Sequence, residues 1–358
     1  MNRSVEVYGT FGPACKEREI LEEMIRCGMT GMRLNLSHTT LENSREYLDN
    51  YKEAAKNCGV VPQILMDMQG PELRIGDMEE AFLENEDKVC FIPSHGCETA
   101  ADVEEIADNE KKCLLPIPIE AMNVLQHGME VLLDDGKIRV VVESVNKQIA
   151  IATVVMGGCI KPHKSIKIVG ENVTMPILTN HDIENIRQAK RYGVTALMQP
   201  FVFSGEDLKR VREVLKEEGA DYLQIFAKIE NQIGVENLDT IIPEADMIVI
   251  ARGDLGNDVP LWQLPTVQKR IEEACKKLQK PYMVVTQMLA SMEENPHPTR
   301  AEVSDIFHAT FHGAKAVMVT GETAVGKYPK EAIFYLASTA KEGIREREVI
   351  KNNVEFCK

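Results

Sequence analysis

The chain has 358 residues, 44% of them hydrophobic, enough for one large core and a smaller second one. Its formal net charge of −15 argues against a nucleic-acid or anionic-membrane surface, because phosphate backbones call for a basic face. It leaves room for a small anionic ligand, since a few cations can dominate the field inside a cleft.

The first apolar run, Val5–Gly9, reads as a strand and ends in Thr10-Phe11-Gly12-Pro13-Ala14. Helical periodicity follows over Glu17–Cys27. A second strand is expected at Met32–Leu36, within Arg33-Leu34-Asn35-Leu36-Ser37-His38, then a helix over Leu41–Asn57. Val61–Met66 is the third strand, running into Asp67-Met68-Gln69-Gly70-Pro71-Glu72. This β-α-β-α-β order is that of a parallel sheet covered by helices. The pattern then breaks. Residues 77–170 are acid-rich at first and later alternate in short strands, with Val131–Leu133 and Ile138–Val142 flanking the turn signal Asp134-Asp135-Gly136 and another strand at Gln148–Val155. They read as an inserted β-rich domain. Helix resumes near His181, and strands are expected at Ala196–Gln199, Leu223–Ile229, Met247–Ala251, Tyr282–Thr286 and Ala316–Thr320. Helices are expected between them at Leu208–Glu217, Val267–Leu278 and Ala301–Phe311. Eight βα units split by an insertion make a TIM (β/α)8 barrel of residues 1–76 and 171–358, with a small inserted β-barrel lid at 77–170. A last helix, Lys330–Arg345, closes the barrel, with a short polar tail after it.

In such a barrel the active site lies where the strands end. Asn35, Asp67, Lys228, Glu230, Asp254 and Thr286 all fall there. Lys228 and Glu230 are two apart, so an extended chain points both to one side. Glu230 and Asp254 can share a divalent cation, as Mg²⁺ is held by one or two carboxylates plus substrate oxygens. Strand-end salt bridges are the plainer alternative. Arg33 likewise has two readings, a partner for an acid or a planar fork for a phosphate, and the company of Lys228 favours the phosphate.

Other patterns carry less. Gly321–Tyr328, GETAVGKY, misses the P-loop pattern at its last residue, where Tyr328 replaces the small hydroxyl that binds Mg²⁺, so a barrel loop is expected. His308 and His312 are one helical turn apart but lack the Glu of a zinc-binding H-E-x-x-H pair, and read as a helix face. The acidic run Glu98–Glu110 reads as solvated surface. Nine cysteines without a CxxC pair read as reduced thiols. No signal-peptide-like segment or transmembrane-length apolar run is evident, so a cytoplasmic protein is expected.

From about Val5 to Arg345 the chain resembles pyruvate kinases. Thr10-Phe11-Gly12-Pro13 is similar to the family's TxGP, Arg33–His38 to RxNxSH, and Asp67–Arg74 (DMQGPELR) to DxxGPExR. Ala227–Asn231 (AKIEN), Ala251–Gly256 (ARGDLG), Thr286–Met292 (TQMLASM), Pro298–Asp305 (PTRAEVSD) and Gly321–Ala324 (GETA) follow in the family's order. The resemblance implies transfer of a phosphoryl group from phosphoenolpyruvate to ADP, the step of glycolysis that gives pyruvate and ATP. By likeness, Lys228 stabilises the moving phosphoryl group and the enolate, Glu230 and Asp254 hold Mg²⁺ or Mn²⁺, and the Gly253 and Asp254 amides with the Thr286 hydroxyl hold the substrate carboxylate. Arg33 binds phosphate, with Lys164, Arg74 and His38 toward the nucleotide. Asn35, Ser37, Asp67 and the Met68 carbonyl bind K⁺, and Glu72 matches the K⁺-dependent members.

The chain departs from the family at Met68-Gln69, where Thr-Lys is common, and at Gln199-Pro200-Phe201-Val202-Phe203, where a serine and an arginine usually flank Phe-Val. Lys167, Val169, His308 and Val325 also differ. No counterpart of the family's C-terminal domain follows Arg345, which implies a homodimer through the barrels and no response to fructose 1,6-bisphosphate. Two rival readings are a metal-dependent aldolase or lyase of the phosphoenolpyruvate/pyruvate barrel group and a non-catalytic regulatory paralogue. Lys164 and the DxxGPExR stretch favour the kinase over the first, and the Lys228, Glu230, Asp254 and Thr286 set favours it over the second.

Overall fold

The computed structural model describes residues 5–37, 39–71, 73–94, 113–134, 136–146, 149–171, 173 and 175–356, with side chains to Asn352. His38, Glu72 and the run 98–110 lie outside the described residues. The chain divides into two compact units, at Gly70/Pro71 and at Pro176/Ile177.

The first unit is a closed parallel barrel. Its strands are β1 (Glu6–Thr10), β2 (Gly31–Asn35), β3 (Gln63–Asp67), β4 (Ala196–Gln199), β5 (Gln224–Ile229), β6 (Met247–Ala251), β7 (Tyr282–Val285) and β8 (Ala316–Met318). Each strand pairs with the next in sequence, and β8 pairs back to β1 through Glu6↔Ala316 and Tyr8↔Met318. The eight expected βα units are therefore present, and the fold is a TIM barrel carrying an inserted β domain.

Alternation along the strands builds two cores. One parity fills the barrel: Tyr8, Leu65, Ala196, Met198, Phe226, Met247, Val249, Met283, Val285, Ala316 and Met318 form one buried cluster. The other parity, including Ile64, Met66, Leu197, Ile225, Ile248, Ile250, Val284 and Val317, packs against the outer helices. Gly31 has to be small, because a Cβ there would lie 2.4 Å from the Tyr8 ring. The inward parity sets the site. Arg33 and Asn35 follow Gly31, Asp67 follows Leu65, and Lys228 and Glu230 follow Phe226, so all five continue the barrel-filling rows beyond their apolar members.

The closing helix, Pro329–Phe356, runs past its expected end at Arg345. The stretch after Arg345 is strongly charged but holds no Gly or Pro, so nothing in it stops a helix. Among the described residues, no helix is long and apolar enough to cross a membrane, and the cysteines are free thiols.

The second unit holds a six-stranded sheet in the order Ile166–Ile168, Glu130–Leu133, Ile138–Val145, Ala150–Met156, Lys88–Pro93, Cys113–Ile117. Only the last pair is parallel. A two-stranded sheet joins Ala81–Leu83 to Gly158–Ile160. The expected hairpin pairs Leu133 with Ile138, and Asp134 and Gly136 take the left-handed turn at φ 48° and 82°.

Candidate active site at the barrel mouth

Lys228 and Glu230 leave the end of β5 on its inward face. Their charges meet at 2.8 Å, with side chains 14% and 0% exposed. Lys228 also reaches Asp67 Oδ1 at 3.5 Å. Asp67, at the end of β3, accepts from Arg33 through Oδ2, at 2.8 Å from Nε and 2.6 Å from Nη2. Two cations and two carboxylates thus form one buried chain, Arg33–Asp67–Lys228–Glu230. Arg33 has the acid partner of its structural reading, and stands in the same mouth as Lys228. Asn35 is the register partner of Asp67, and its Oδ1 accepts from the Ser37 amide at 3.2 Å. Met68 is buried, its amide donating to the Met198 carbonyl.

Burial alone would push the Lys228 proton off, but the charges of Asp67 and then Glu230 more than reverse this and hold the ammonium above its ordinary range. Glu230 is raised to about 7 by burial, with Lys228 opposing and Asp254 adding to the rise. Its Oε2 accepts from the Phe201 amide at 2.9 Å. Its Oε1 faces Lys228 but accepts no aligned hydrogen bond. A buried carboxylate oxygen of this kind, coupled to the exposed carboxylate of Asp254, fits a divalent cation that takes its other ligands from substrate and water. Among the described residues no group of three or more His, Cys, Asp or Glu could hold a metal, so a protein-only cage is not what this mouth offers.

Asp254 lies in the short helix Arg252–Asp258 that follows β6 directly. Gly253 packs on Thr286, and a Cβ on it would sit 3.0 Å from Thr286 Cγ2 and 3.8 Å from Oγ1. Thr286 was expected as the end of β7, but the strand stops at Val285 because the chain turns left-handed at Thr286 and Gln287, φ 72° and 53°. The mouth therefore gathers Arg33, Asn35, Asp67 and Lys228 from β2, β3 and β5, and Glu230, Gly253 and Thr286 from the residues that follow β5, β6 and β7.

Lys164 and Arg74 belong to the second unit. Lys164 Nζ is 2.8 Å from Asp134 Oδ1, and Arg74 Nη1 donates to the His163 carbonyl at 2.7 Å. Gly321–Ala324 is one helical turn and not the expected loop, and it is no phosphate cradle, since the amides from Thr323 to Lys327 donate to the Thr320, Gly321 and Glu293 carbonyls. His308 and His312 sit on the helix Arg300–His312, bonded to the Ser304 carbonyl at 2.7 Å and facing Glu272 at 3.4 Å.

Three features of the mouth are not evident from sequence spacing. Phe201 holds φ 53° and so aims its amide at Glu230. Arg252 sits inside the ARGDLG stretch and bonds the Thr286 carbonyl and Asp305. Asp182 is fully buried and accepts from the Gln69, Gly70 and Thr179 amides at 2.9, 3.1 and 2.8 Å. Gln69 and Gly70 precede one crossing between the units and Thr179 follows the other. Only the Thr179–Asp182 half of this arrangement, a capping box, has a sequence signature.

This combination defines a TIM barrel whose strand ends present buried cations beside paired carboxylates. The model of the pyruvate kinase barrel domain matches residues 2–333, and the chain belongs to the pyruvate kinase family. It is 35% identical to the pyruvate kinases of Geobacillus stearothermophilus, Staphylococcus aureus (strain MRSA252) and Bacillus licheniformis, over 99%, 92% and 97% of its own length. It spans 60%, 55% and 59% of the lengths of those relatives.

Proposed function

We propose that the chain transfers a phosphoryl group between phosphoenolpyruvate and ADP, giving pyruvate and ATP. The observation that carries this reading is the buried Lys228, held between Asp67 at 3.5 Å and Glu230 at 2.8 Å where the barrel opens, with both carboxylates favouring its ammonium form. An ammonium kept protonated in a water-poor site can neutralise charge that moves during reaction without reorganising. Phosphoryl transfer asks for little else, being mostly positioning and charge neutralisation.

In this reading Lys228 faces both the phosphoryl group and the enolate oxygen left when the phosphoryl group departs. Arg33, whose guanidinium is already oriented by Asp67, offers its remaining donor edge to phosphate oxygens. The Gly253 and Asp254 amides and the Thr286 hydroxyl donate to the substrate carboxylate and fix the enolate plane. Glu230 and Asp254 would hold Mg²⁺ or Mn²⁺, which supplies positive charge to substrate oxygens when bound. Asn35, Ser37, Asp67 and the Met68 carbonyl make an all-oxygen set suited to K⁺. Lys164, Arg74 and His38 serve the nucleotide. A cytoplasmic location and a homodimer through the barrels belong to the same proposal, and sedimentation analysis tests the assembly.

The test is pyruvate formation by the purified chain, coupled to lactate dehydrogenase, with phosphoenolpyruvate, ADP, Mg²⁺ and K⁺ present. Turnover that needs both substrates and the divalent cation supports the reading. Turnover of neither substrate at saturating concentrations overturns it.

A further inference from the structure

Thr286 is a β-branched residue at φ 72°, followed by Gln287 at φ 53°. Left-handed backbone is disfavoured for such a side chain, so two consecutive residues there need something to hold them. The holder on the page is Arg252. Its Nε and Nη2 donate to the Thr286 carbonyl at 3.2 and 2.8 Å. Its Nη1 donates to Asp305 Oδ2 at 2.7 Å, and Nη2 also lies 2.9 Å from Met288 Sδ. The side chain is 10% exposed. Every nitrogen of the guanidinium is thus engaged by a protein atom, which fixes the plane of the fork.

The partners come from three places. Arg252 opens the short helix after β6, Thr286 follows β7, and Asp305 lies on the helix Arg300–His312. A rotation of Thr286 back to extended backbone would swing its carbonyl off the fork and its hydroxyl away from Gly253, against which its side chain now rests. We propose that Arg252 is a positioning residue: anchored by Asp305, its fork locks the left-handed turn at Thr286 and so aims the Thr286 hydroxyl alongside the Gly253 amide. This deepens the phosphoryl-transfer reading and rests on it for the hydroxyl's task. Lysine cannot substitute, because one ammonium cannot grip the Thr286 carbonyl along two N–H directions while also pairing with Asp305.

The experiment compares the wild-type chain with Arg252→Lys and Asp305→Asn. The Thr286 methyl is followed by NMR on threonine-methyl-labelled protein, assigned through Thr286→Ser, and steady-state rates are measured alongside. For Arg252→Lys, the Thr286 methyl resonance shifts or splits and kcat falls at least about 10-fold, because the donor is present but misaimed. Half-saturation by Mg²⁺ stays within about two-fold, which a general loss of structure would not leave intact. For Asp305→Asn, which keeps the fork but loosens its anchor, the methyl shifts less and kcat falls by roughly two- to five-fold, a milder misplacement of the same donor. An unchanged Thr286 resonance in Arg252→Lys overturns the proposal, whether or not kcat falls. If Arg252→Lys does not fold, an unmoved methyl with kcat within about two-fold of wild type in Asp305→Asn overturns it. If the wild-type chain turns over no substrate, the phosphoryl-transfer reading fails, and the methyl resonance alone decides whether Arg252 holds the turn.

Discussion

Replacing Lys228 with alanine removes the only ammonium of the Arg33–Asp67–Lys228–Glu230 chain. Losing one preorganised donor to developing charge costs roughly 10²–10³ in turnover, about 3–4 kcal/mol of barrier. The same change also acts on stability. Breaking a buried ion pair by removing one member typically costs ~3–5 kcal/mol, because a charge is left without a partner. Here the loss falls at the low end for two reasons. Arg33 still neutralises Asp67 at 2.6 Å. Glu230, already raised to about 7 by burial, takes up a proton rather than remain a lone buried anion. Lys228→Ala is therefore expected to fold, with a lowered midpoint in urea and turnover down at least 10²-fold in the coupled pyruvate assay at saturating metal and substrates. Glu230→Ala instead raises the Mg²⁺ concentration needed for half-maximal rate. Turnover of Lys228→Ala within about two-fold of wild type, on protein shown to be folded, would refute the role assigned to the ammonium.

Exchanging K⁺ for a bulky organic cation at equal ionic strength should strongly lower the rate under the proposal that Asn35, Ser37, Asp67 and the Met68 carbonyl hold K⁺. Equal rates in the two salts would remove the monovalent site from the proposal. Asp182→Asn should speed amide exchange at Gln69 and Gly70 at least about 10-fold, because the variant replaces one of two carboxylate acceptor oxygens by an NH₂ that points at donors. Thr179→Val should leave those two amides protected while loosening the start of the helix Asn180–Tyr192. Uniformly faster exchange throughout the barrel in Asp182→Asn would mean a general stabiliser and not a local hold on the Gln69 and Gly70 amides. Glu302 is pulled up by burial but more strongly down by Ser291 and Thr299, so its folded carboxyl titrates below the usual range. The carboxylate's contribution is then present above the unfolded value and is lost as pH falls through the lower folded one. Urea midpoints of Glu302→Gln should thus vary less than wild type between neutral and acid pH, and parallel curves would contradict this.

The barrel was legible because its strands alternate between two apolar environments while their ends turn polar in the same parity. Lys228 and Glu230 could be placed on one face from spacing alone, since period-2 geometry is a property of the chain and not of its neighbours. The ion pair Arg33–Asp67 was not, because it joins β2 to β3 and depends on register. Backbone conformation was least visible. Nothing in Val285-Thr286-Gln287 announces a left-handed turn, and the apolar spelling carried the predicted strand one residue too far. The opposite error arose at Val61, which looked like strand but is 84% exposed ahead of a strand that begins at Gln63. The turn at Thr286 is held by a guanidinium 34 residues away, and Glu230 Oε2 accepts from the amide of Phe201, 29 residues before it. Such partners are set by which strand ends meet at the mouth, which no local pattern encodes.

The most direct test of the central claim is the stoichiometry of products from the wild-type chain. Incubated with phosphoenolpyruvate, ADP, Mg²⁺ and K⁺, it should form pyruvate and ATP in equal amounts, with neither appearing when ADP or Mg²⁺ is withheld. Pyruvate without ATP would mean hydrolysis or a different lyase chemistry at this mouth. The absence of both products at saturating substrate and metal would contradict phosphoryl transfer by this chain.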